Sequence, residues 1–242
     1  YTSVYVSANG YVSFGTGENM YGGIDLTAWS KAYPIISAFM TDINPSATTT
    51  TTSTGGTSTG THKVYFRQDA SGFMVTYDDV APFGTPTVKD ATTQGDAFQI
   101  KLTRNVVNGK TYNVIELVYE NISWADGGTT SIPQAGWSAG TGTTSYETTW
   151  SGNATASLTA ESTTNMVRNG VWRWVLDATT SQLVDTNALG GLSRFVTTST
   201  AAVSLSSTAA GTATYALLSD GNGRFLLDTS TGTPLIKTSA SA

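Results

Sequence analysis

The chain has 242 residues, a formal net charge of −5, no cysteine and one histidine, and only 12% of its residues are charged. Globular domains carry about 25% charged residues, so this surface must be built mainly from Thr, Ser, Gly and Asn. The absence of cysteine excludes disulfides, thiolate metal sites and cysteine nucleophiles. The acidic balance without a Lys/Arg cluster argues against nucleic-acid binding. No apolar run approaches the roughly 20 residues that span a bilayer.

The first elements are predicted to be a hairpin and a buried strand. Residues 1–14 alternate around Asn9-Gly10, and this dipeptide between two β-rich runs favours a hairpin because both residues tolerate positive φ. Residues 34–42 indicate a largely apolar strand. The Thr/Ser/Gly stretch at 48–61 cannot bury a core, so it is predicted to be a mobile loop.

Further short runs rich in Val, Ile, Phe, Tyr or Trp follow, separated by turn residues. They are 63–67, 72–80, 97–102, 113–124, 134–136 (before a Gly/Thr-rich excursion to 152) and 170–177. No segment repeats apolar residues every 3.6 positions over three turns. The sequence therefore predicts an all-β fold, an antiparallel β-sandwich with long Thr/Gly-rich loops and a small C-terminal β segment.

A domain boundary is expected near residues 186–192, beyond which aromatic residues become rare. We predict a β-sandwich domain at 1–186 and a small β module or tail at 187–242. About forty to sixty residues are few for an independent core, so the tail is expected to pack on the main domain or to be completed elsewhere.

Eight short strings, taken in order, resemble the nidogen-like domain family. They are YVSANGYVSFG (5–15), ISAFMTDI (36–43), VYFR (64–67), VTYDDV (75–80), FQ (98–99), VYENISW (118–124), QAGWS (134–138) and GVWRWV (170–175). The family's acidic opening segment is missing before Tyr1, Met40 stands where the family usually has Trp, and the Thr-rich stretch is an insertion. The resemblance implies an extracellular β domain of basement-membrane, mucin-like or bacterial surface proteins, and it transfers no catalytic residues.

A second likeness covers about residues 200–238. The strings ATY (213–215) and FLLDTSTG (225–232) resemble part of a cadherin-like repeat. The acidic calcium-ligand motifs of that family are absent, so this likeness does not imply calcium.

Two patterns resemble catalytic sites without meeting their requirements. Ser138 lies in the G-x-S-x-G string at 136–140, but the single histidine, His62, precedes it in the chain and no strand–turn–helix context is evident. Ser138 is expected in a turn. Asp78 and Asp79 are adjacent, so on a strand they point to opposite faces and do not form a glycosidase pair. One of them is expected to cap a turn.

Two kinds of binding residue remain as candidates. Asp42 with Asn44, and Asp220 with Asn222, offer oxygens suited to Ca²⁺, although turn chemistry alone also places Asp and Asn at strand ends. No cofactor is required, and calcium is the one that these residues allow. Trp29 and Trp150 lie in loop-like sequence, so they are the tryptophans expected to be exposed and to stack on sugars, although most tryptophans of a sandwich fill its core.

The expected function is that of a non-enzymatic, extracellular or cell-surface module for adhesion or assembly. Its partners would be copies of itself or surface and matrix proteins, with glycans as alternative ligands of a carbohydrate-binding module. The chain starts with Tyr rather than Met, so a trimmed terminus is expected. A sandwich lacking its first strand exposes a sheet edge near Tyr1 that another chain can pair with, and the run 225–237 is a candidate donor strand.

Overall fold

The computed structural model describes residues 1–22, 24–46, 62–70, 72–84, 95–107, 109–126, 131–163 and 169–184. Beyond these it describes only the backbone of short strands at 52–53, 56–57, 87–88, 203–204, 225–228 and 235–238. Most of the Thr-rich stretch at 48–61, and the calcium candidates Asp220 and Asn222, therefore lie outside the described residues.

The described secondary structure is almost entirely β. The strands are β1 (Val4–Val6), β2 (Tyr11–Phe14), β3 (Ile35–Met40), β4 (Ile43–Asn44), β5 (Thr52–Ser53), β6 (Gly56–Thr57), β7 (Lys63–Asp69), β8 (Gly72–Pro82), β9 (Thr87–Val88), β10 (Asp96–Val107), β11 (Lys110–Asn121), β12 (Trp124–Ala125), β13 (Gln134–Ser138), β14 (Ser145–Glu147), β15 (Val171–Asp177), β16 (Val203–Ser204), β17 (Phe225–Asp228) and β18 (Leu235–Thr238). A 3-10 helix (η1, Leu26–Ala28) and one α-helical turn (α1, Ala154–Ser157) interrupt them. The predicted all-β sandwich is confirmed.

The contacts divide the chain into two compact units. The first comprises Tyr1–Leu102, Glu116–Thr164 and Asn169–Trp172, and the second comprises Thr103–Ile115, Asn165–Arg168 and Arg173–Ala242. The boundary at residue 186 stays a prediction. In the described part of the chain, no helix has the length and apolar character needed to cross a membrane.

The first sheet has five strands in the order β1-β2-β3-β13-β14. Its predicted hairpin is confirmed: β1 pairs with β2 in antiparallel register, with Gly10 at φ 81° in the connection. The backbone N–H groups of Ala38 and Phe39 both donate to Gly10 O, at 3.0 and 3.2 Å. Two residues of β3 thus oppose one residue of the hairpin, which is a β-bulge.

The second sheet has six strands. Five follow the order β15-β11-β10-β8-β4, and β7 also pairs with β8. β7 and β8 form a hairpin in which seven pairs of residues are in register, from Lys63 opposite Asp78 to Asp69 opposite Gly72. From Met74 to Asp78 of β8, half-buried residues alternate with buried ones, so one face of this strand lies on the core and the other faces solvent.

Aromatic side chains fill the core of the first unit between its two sheets. Phe39 from the first sheet lies 5.7 Å from Phe98, 6.1 Å from Trp124 and 5.8 Å from Trp150, measured between ring centroids. The Tyr119 hydroxyl donates to Ala38 O at 2.7 Å, which connects β11 to β3 across the core. The two sheets are therefore joined by ring packing and by a buried hydrogen bond.

The opposite face of the first sheet is covered by the segment around η1. A second buried cluster contains Tyr11, Met20, Leu26, Trp29, Ile35 and Met40. Both faces of β3 are covered, because all six of its residues are buried. This accounts for the almost continuous apolar run that predicted the strand.

In the second unit, Tyr112, Val114 and Val175 form a small buried cluster with Val184 packed against it. The Lys110 Nζ lies 2.6 Å from Asp177 Oδ2. Farther along the chain, β16, β18 and β17 form a three-stranded sheet. The candidate donor run 225–237 thus contributes two strands that already pair with each other.

Candidate functional site

Of the proposed calcium ligands, Asp42 lies in the short connection between β3 and β4, and Asn44 lies in β4. The Asn44 Oδ1 accepts hydrogen bonds from Ser46 N at 3.1 Å and Ser46 Oγ at 2.6 Å, which is an Asx turn. Burial raises the pKa of Asp42. In the described ranges, no three His, Cys, Asp or Glu side chains gather closely enough to hold a metal. The Asn44 Oδ1 thus already accepts two hydrogen bonds within the Asx turn. Calcium binding by Asp42 and Asn44 stays a prediction.

The expected exposure of Trp29 and Trp150 is wrong, since each is only 2% exposed. The Trp29 Nε1 donates to Tyr33 O at 2.9 Å, and its ring meets Tyr33 edge-to-face at 5.6 Å. Trp150 packs on Phe39 and on Tyr119, the latter at 5.4 Å. Loop-like sequence did not indicate exposure here, because each ring packs against core residues that are distant from it in the chain. Neither ring is presented for stacking on a sugar.

Ser138 is the last residue of β13 and is 1% exposed. The expectation that it lies in a turn is therefore wrong. Its Oγ accepts a hydrogen bond from Gly140 N at 3.3 Å. The element after β13 is the strand β14, whereas a nucleophile elbow is followed by a helix. The His62 Nδ1 lies 2.8 Å from Asp79 O. Ser138 thus contacts Gly140, and His62 contacts Asp79.

Asp78 and Asp79 both lie inside β8, so the expectation that one of them caps a turn is wrong. Asp79 is buried and adopts φ 59°, an uncommon conformation for a residue other than glycine. Its Oδ2 lies 3.7 Å from His62 Nδ1. Asp78 remains half-buried, directly opposite Lys63. The two carboxylates therefore have different surroundings and do not form a matched pair.

The sequence analysis missed a polar groove on the solvent-facing side of the six-stranded sheet. The groove has a volume of about 120 Å³ and spans the neighbouring strands β8, β10 and β11. Its lining side chains alternate with core residues along each strand: Thr76, Asp78, Ala97, Gln99, Val118 and Glu120. The alternation was readable in the sequence, but the order of the three strands was not.

Beneath the polar groove lie two core rings. Tyr77 and Phe98 stack with centroids 4.5 Å apart and an interplanar angle of 16°, and both are buried. The Tyr77 hydroxyl donates to Ser7 O at 2.6 Å, and burial raises its pKa. The backbone under the groove is thereby held by the core of the first unit.

A protein-family model for the nidogen-like domain matches residues 2–178. Comparisons with curated proteins and with solved structures gave no match. The match confirms the resemblance carried by the eight strings between residues 5 and 175. Nidogen-like domains occur in extracellular proteins, as matrix-type modules with a general structural or adhesive role. The chain belongs to the nidogen-like domain family.

Proposed function

We propose that this chain is an extracellular adhesive or structural module that works by self-association, without a catalytic step. The observation that carries the proposal is the position of β1. This strand ends the five-stranded sheet, with β2 on one side and no described strand on the other. An edge strand presents backbone donors and acceptors that another strand can pair with.

The hydrogen bonds of the β1–β2 hairpin indicate which backbone groups face the open side. Ser7 N donates to Tyr11 O at 3.0 Å, and Ser3 O accepts from Gly15 N at 3.5 Å. Backbone groups alternate in direction along a strand, so Val4 and Val6 direct their N–H and C=O groups away from β2. An antiparallel copy of β1 fits this edge in a symmetric arrangement.

The surroundings of this edge lack the residues that usually block strand addition. Residues 1–17 contain no Lys, Arg, Asp, Glu or Pro. Tyr5 is 44% exposed and Val6 is 38% exposed, so apolar surface lies beside the open backbone groups. Because β1 has only three residues, one such contact is weak, and it suits assemblies in which many copies are held at high local concentration.

A non-catalytic role is supported by the surroundings of Ser138, which ends β13 and is followed by the strand β14 rather than by the helix of a nucleophile elbow. Sugar binding through Trp29 and Trp150 is not part of the proposal, because both rings are buried.

The test is sedimentation velocity over a wide range of protein concentration, with a matched pair of variants. Val6→Lys places a charge on the open edge, whereas Ile132→Lys places the same charge on a loop residue of similar exposure, 38% against 39%. We expect the unsubstituted protein and Ile132→Lys to associate at high concentration. Val6→Lys should stay monomeric while keeping its circular dichroism spectrum.

Two results would count against the proposal. One is a protein that remains monomeric at the highest concentration reached. The other is association that Val6→Lys leaves unchanged, because the contact would then lie elsewhere on the surface.

A further inference from the structure

We propose that the polar groove binds one neutral pyranose unit of a glycan. The groove lies wholly within the first unit, on the six-stranded sheet, whereas β1 lies on the five-stranded sheet. The proposal is therefore independent of self-association, and either can fail without the other.

The shape of the groove follows from its residue sizes. The central strand β10 contributes Ala97, the shortest lining side chain, and the longer Gln99, while β8 and β11 contribute side chains longer than alanine on either side, so the depression lies over Ala97. The volume of about 120 Å³ is well below the roughly 300–1,000 Å³ of pockets that enclose drug-sized ligands. Such a depression can seat one edge of a single sugar ring, and it is too small for a folded peptide or an acyl chain.

The lining offers the mixed hydrogen-bonding groups that sugar hydroxyls require. The Gln99 Nε2 donates to Thr76 Oγ1 at 3.0 Å, which fixes the plane of the amide. A carboxamide has two N–H donors and a carbonyl acceptor, so one donor and the acceptor remain for a ligand. The carboxylates of Asp78 and Glu120 accept hydrogen bonds only. Hydroxyl groups donate and accept together, so a polyol matches this set.

The charges around the groove favour a neutral ligand over a cation. Lys63 stands directly opposite Asp78 on the neighbouring strand β7. On the same face, Lys101 Nζ lies 3.2 Å from Glu116 Oε2. Opposite charges on facing strands compensate each other, so neither Asp78 nor Glu116 requires a cationic partner, and the lysine probe in the experiment below tests Glu120.

An aromatic side chain borders the groove. Tyr65 lies in register opposite Thr76, which puts both on the same face of the sheet, and it is 46% exposed. A tyrosine ring offers an apolar face and a polar tip, which suits the C–H face and the hydroxyls of a pyranose. Phe66, the next residue of β7, points to the opposite face and is 72% exposed.

The experiment is an NMR titration of the full chain, ¹⁵N-labelled, with methyl hexopyranosides, methyl N-acetylhexosaminides and, as a cationic probe, N-acetyl-lysine methylamide. We expect roughly millimolar binding of at least one neutral glycoside, because a shallow site contacts a single ring. The amide resonances of Thr76, Gln99 and Val118 should shift most. Glu120→Gln, which is exposed, and Gln99→Ala should each weaken binding about tenfold.

Phe66→Ala is the matched control for Tyr65→Ala, since both remove an exposed ring from β7 but on opposite faces. Tyr65→Ala should weaken binding about tenfold and Phe66→Ala should leave it unchanged. The proposal is overturned if no neutral glycoside binds, if only the lysine probe binds, or if Glu120→Gln and Gln99→Ala both leave glycoside binding intact. Equal losses in Tyr65→Ala and Phe66→Ala would also overturn it.

Discussion

The side-chain oxygen of Asn9 accepts a 3.0 Å hydrogen bond from the backbone N–H of Ile43, 34 residues later in the chain. The same amide donates from Nδ2 to Met20 O at 2.7 Å. Asn9 therefore joins the first hairpin to β4 and to the segment that covers the first sheet. The residue that predicted a turn also holds two distant segments in place.

Replacing Asn9 by Ala should lower the free energy of unfolding by about 2–4 kcal/mol, because a buried N–H and a buried C=O each lose their partner. Asn113→Ala removes the same groups from an exposed position of β11 and should change stability by less than about 0.5 kcal/mol. Urea denaturation measures both. Equal effects of the two substitutions would show that the Asn9 bonds do not stabilise the fold.

Phe39→Ala should lower the free energy of unfolding by about 3–5 kcal/mol, since it leaves a cavity among Phe98, Trp124 and Trp150. Phe66→Ala removes the same ring from an exposed position of β7, where it stacks on Phe73 at 6.5 Å, and should cost less than about 1 kcal/mol. Chemical denaturation compares them. A larger loss for Phe66→Ala would contradict the assignment of Phe39 to the core.

Local patterns predicted the strands well where the apolar residues were continuous or alternated cleanly. The run 34–42 became β3, and the run 72–80 became most of β8. The Asn9-Gly10 turn was readable because it depends on positive φ, a property of the residues themselves. Element type and turn position are thus encoded within a few neighbouring residues.

Burial and strand order could not be predicted in the same way, because they depend on distant partners. Trp29 lies outside any helix or strand, yet Tyr11, Met20 and Ile35 surround it in one cluster. The polar groove depends on β8, β10 and β11 being neighbours, and no single segment of the sequence specifies that order. The sequence indicated the alternating residues of each strand, but it did not indicate that the three strands bring these residues together in one groove.

The pKa of Asp177 is lowered to about 2 by the hydrogen bond from Lys110 and by the backbone N–H groups of Thr180 and Thr179. A lowered pKa in the folded state means that the carboxylate stabilises the protein above about pH 4, and that this contribution is lost as the pH falls towards 2. Asp177→Asn should therefore lower the Tm at pH 7. The difference from the unsubstituted protein should shrink steadily below pH 4 and be small near pH 2.

Differential scanning calorimetry between pH 7 and 2 measures this difference. Glu120→Gln removes an exposed carboxylate from β11 and should leave the acid dependence of the Tm unchanged. A constant gap between Asp177→Asn and the unsubstituted protein across the whole range would contradict an electrostatic origin.

Asp42 should behave in the opposite direction, because burial raises its pKa. The folded state then binds a proton more readily than the unfolded state, so the contribution of Asp42 to stability improves as the pH falls through the folded-state pKa. Asp42→Asn should slightly raise the Tm at pH 7 and lose this advantage in acid. The same scans with millimolar CaCl₂ test the calcium prediction: ligation by Asp42 and Asn44 requires a rise in Tm that Asp42→Asn abolishes.

Gly10 should tolerate alanine far less well than Gly109, although both have positive φ, 81° and 75°. An added Cβ at Gly10 would clash with Phe39 O, whereas at Gly109 it would meet no described atom within 4 Å. Gly109→Ala should therefore cost only the backbone strain, about 1 kcal/mol. Gly10→Ala should cost more than about 3 kcal/mol, because β3 must also move. Urea denaturation of the two variants separates the cost of backbone strain from that of the steric clash. Equal losses in the free energy of unfolding would mean that the bulge at Ala38 and Phe39 shifts to accommodate the added Cβ at no energetic cost.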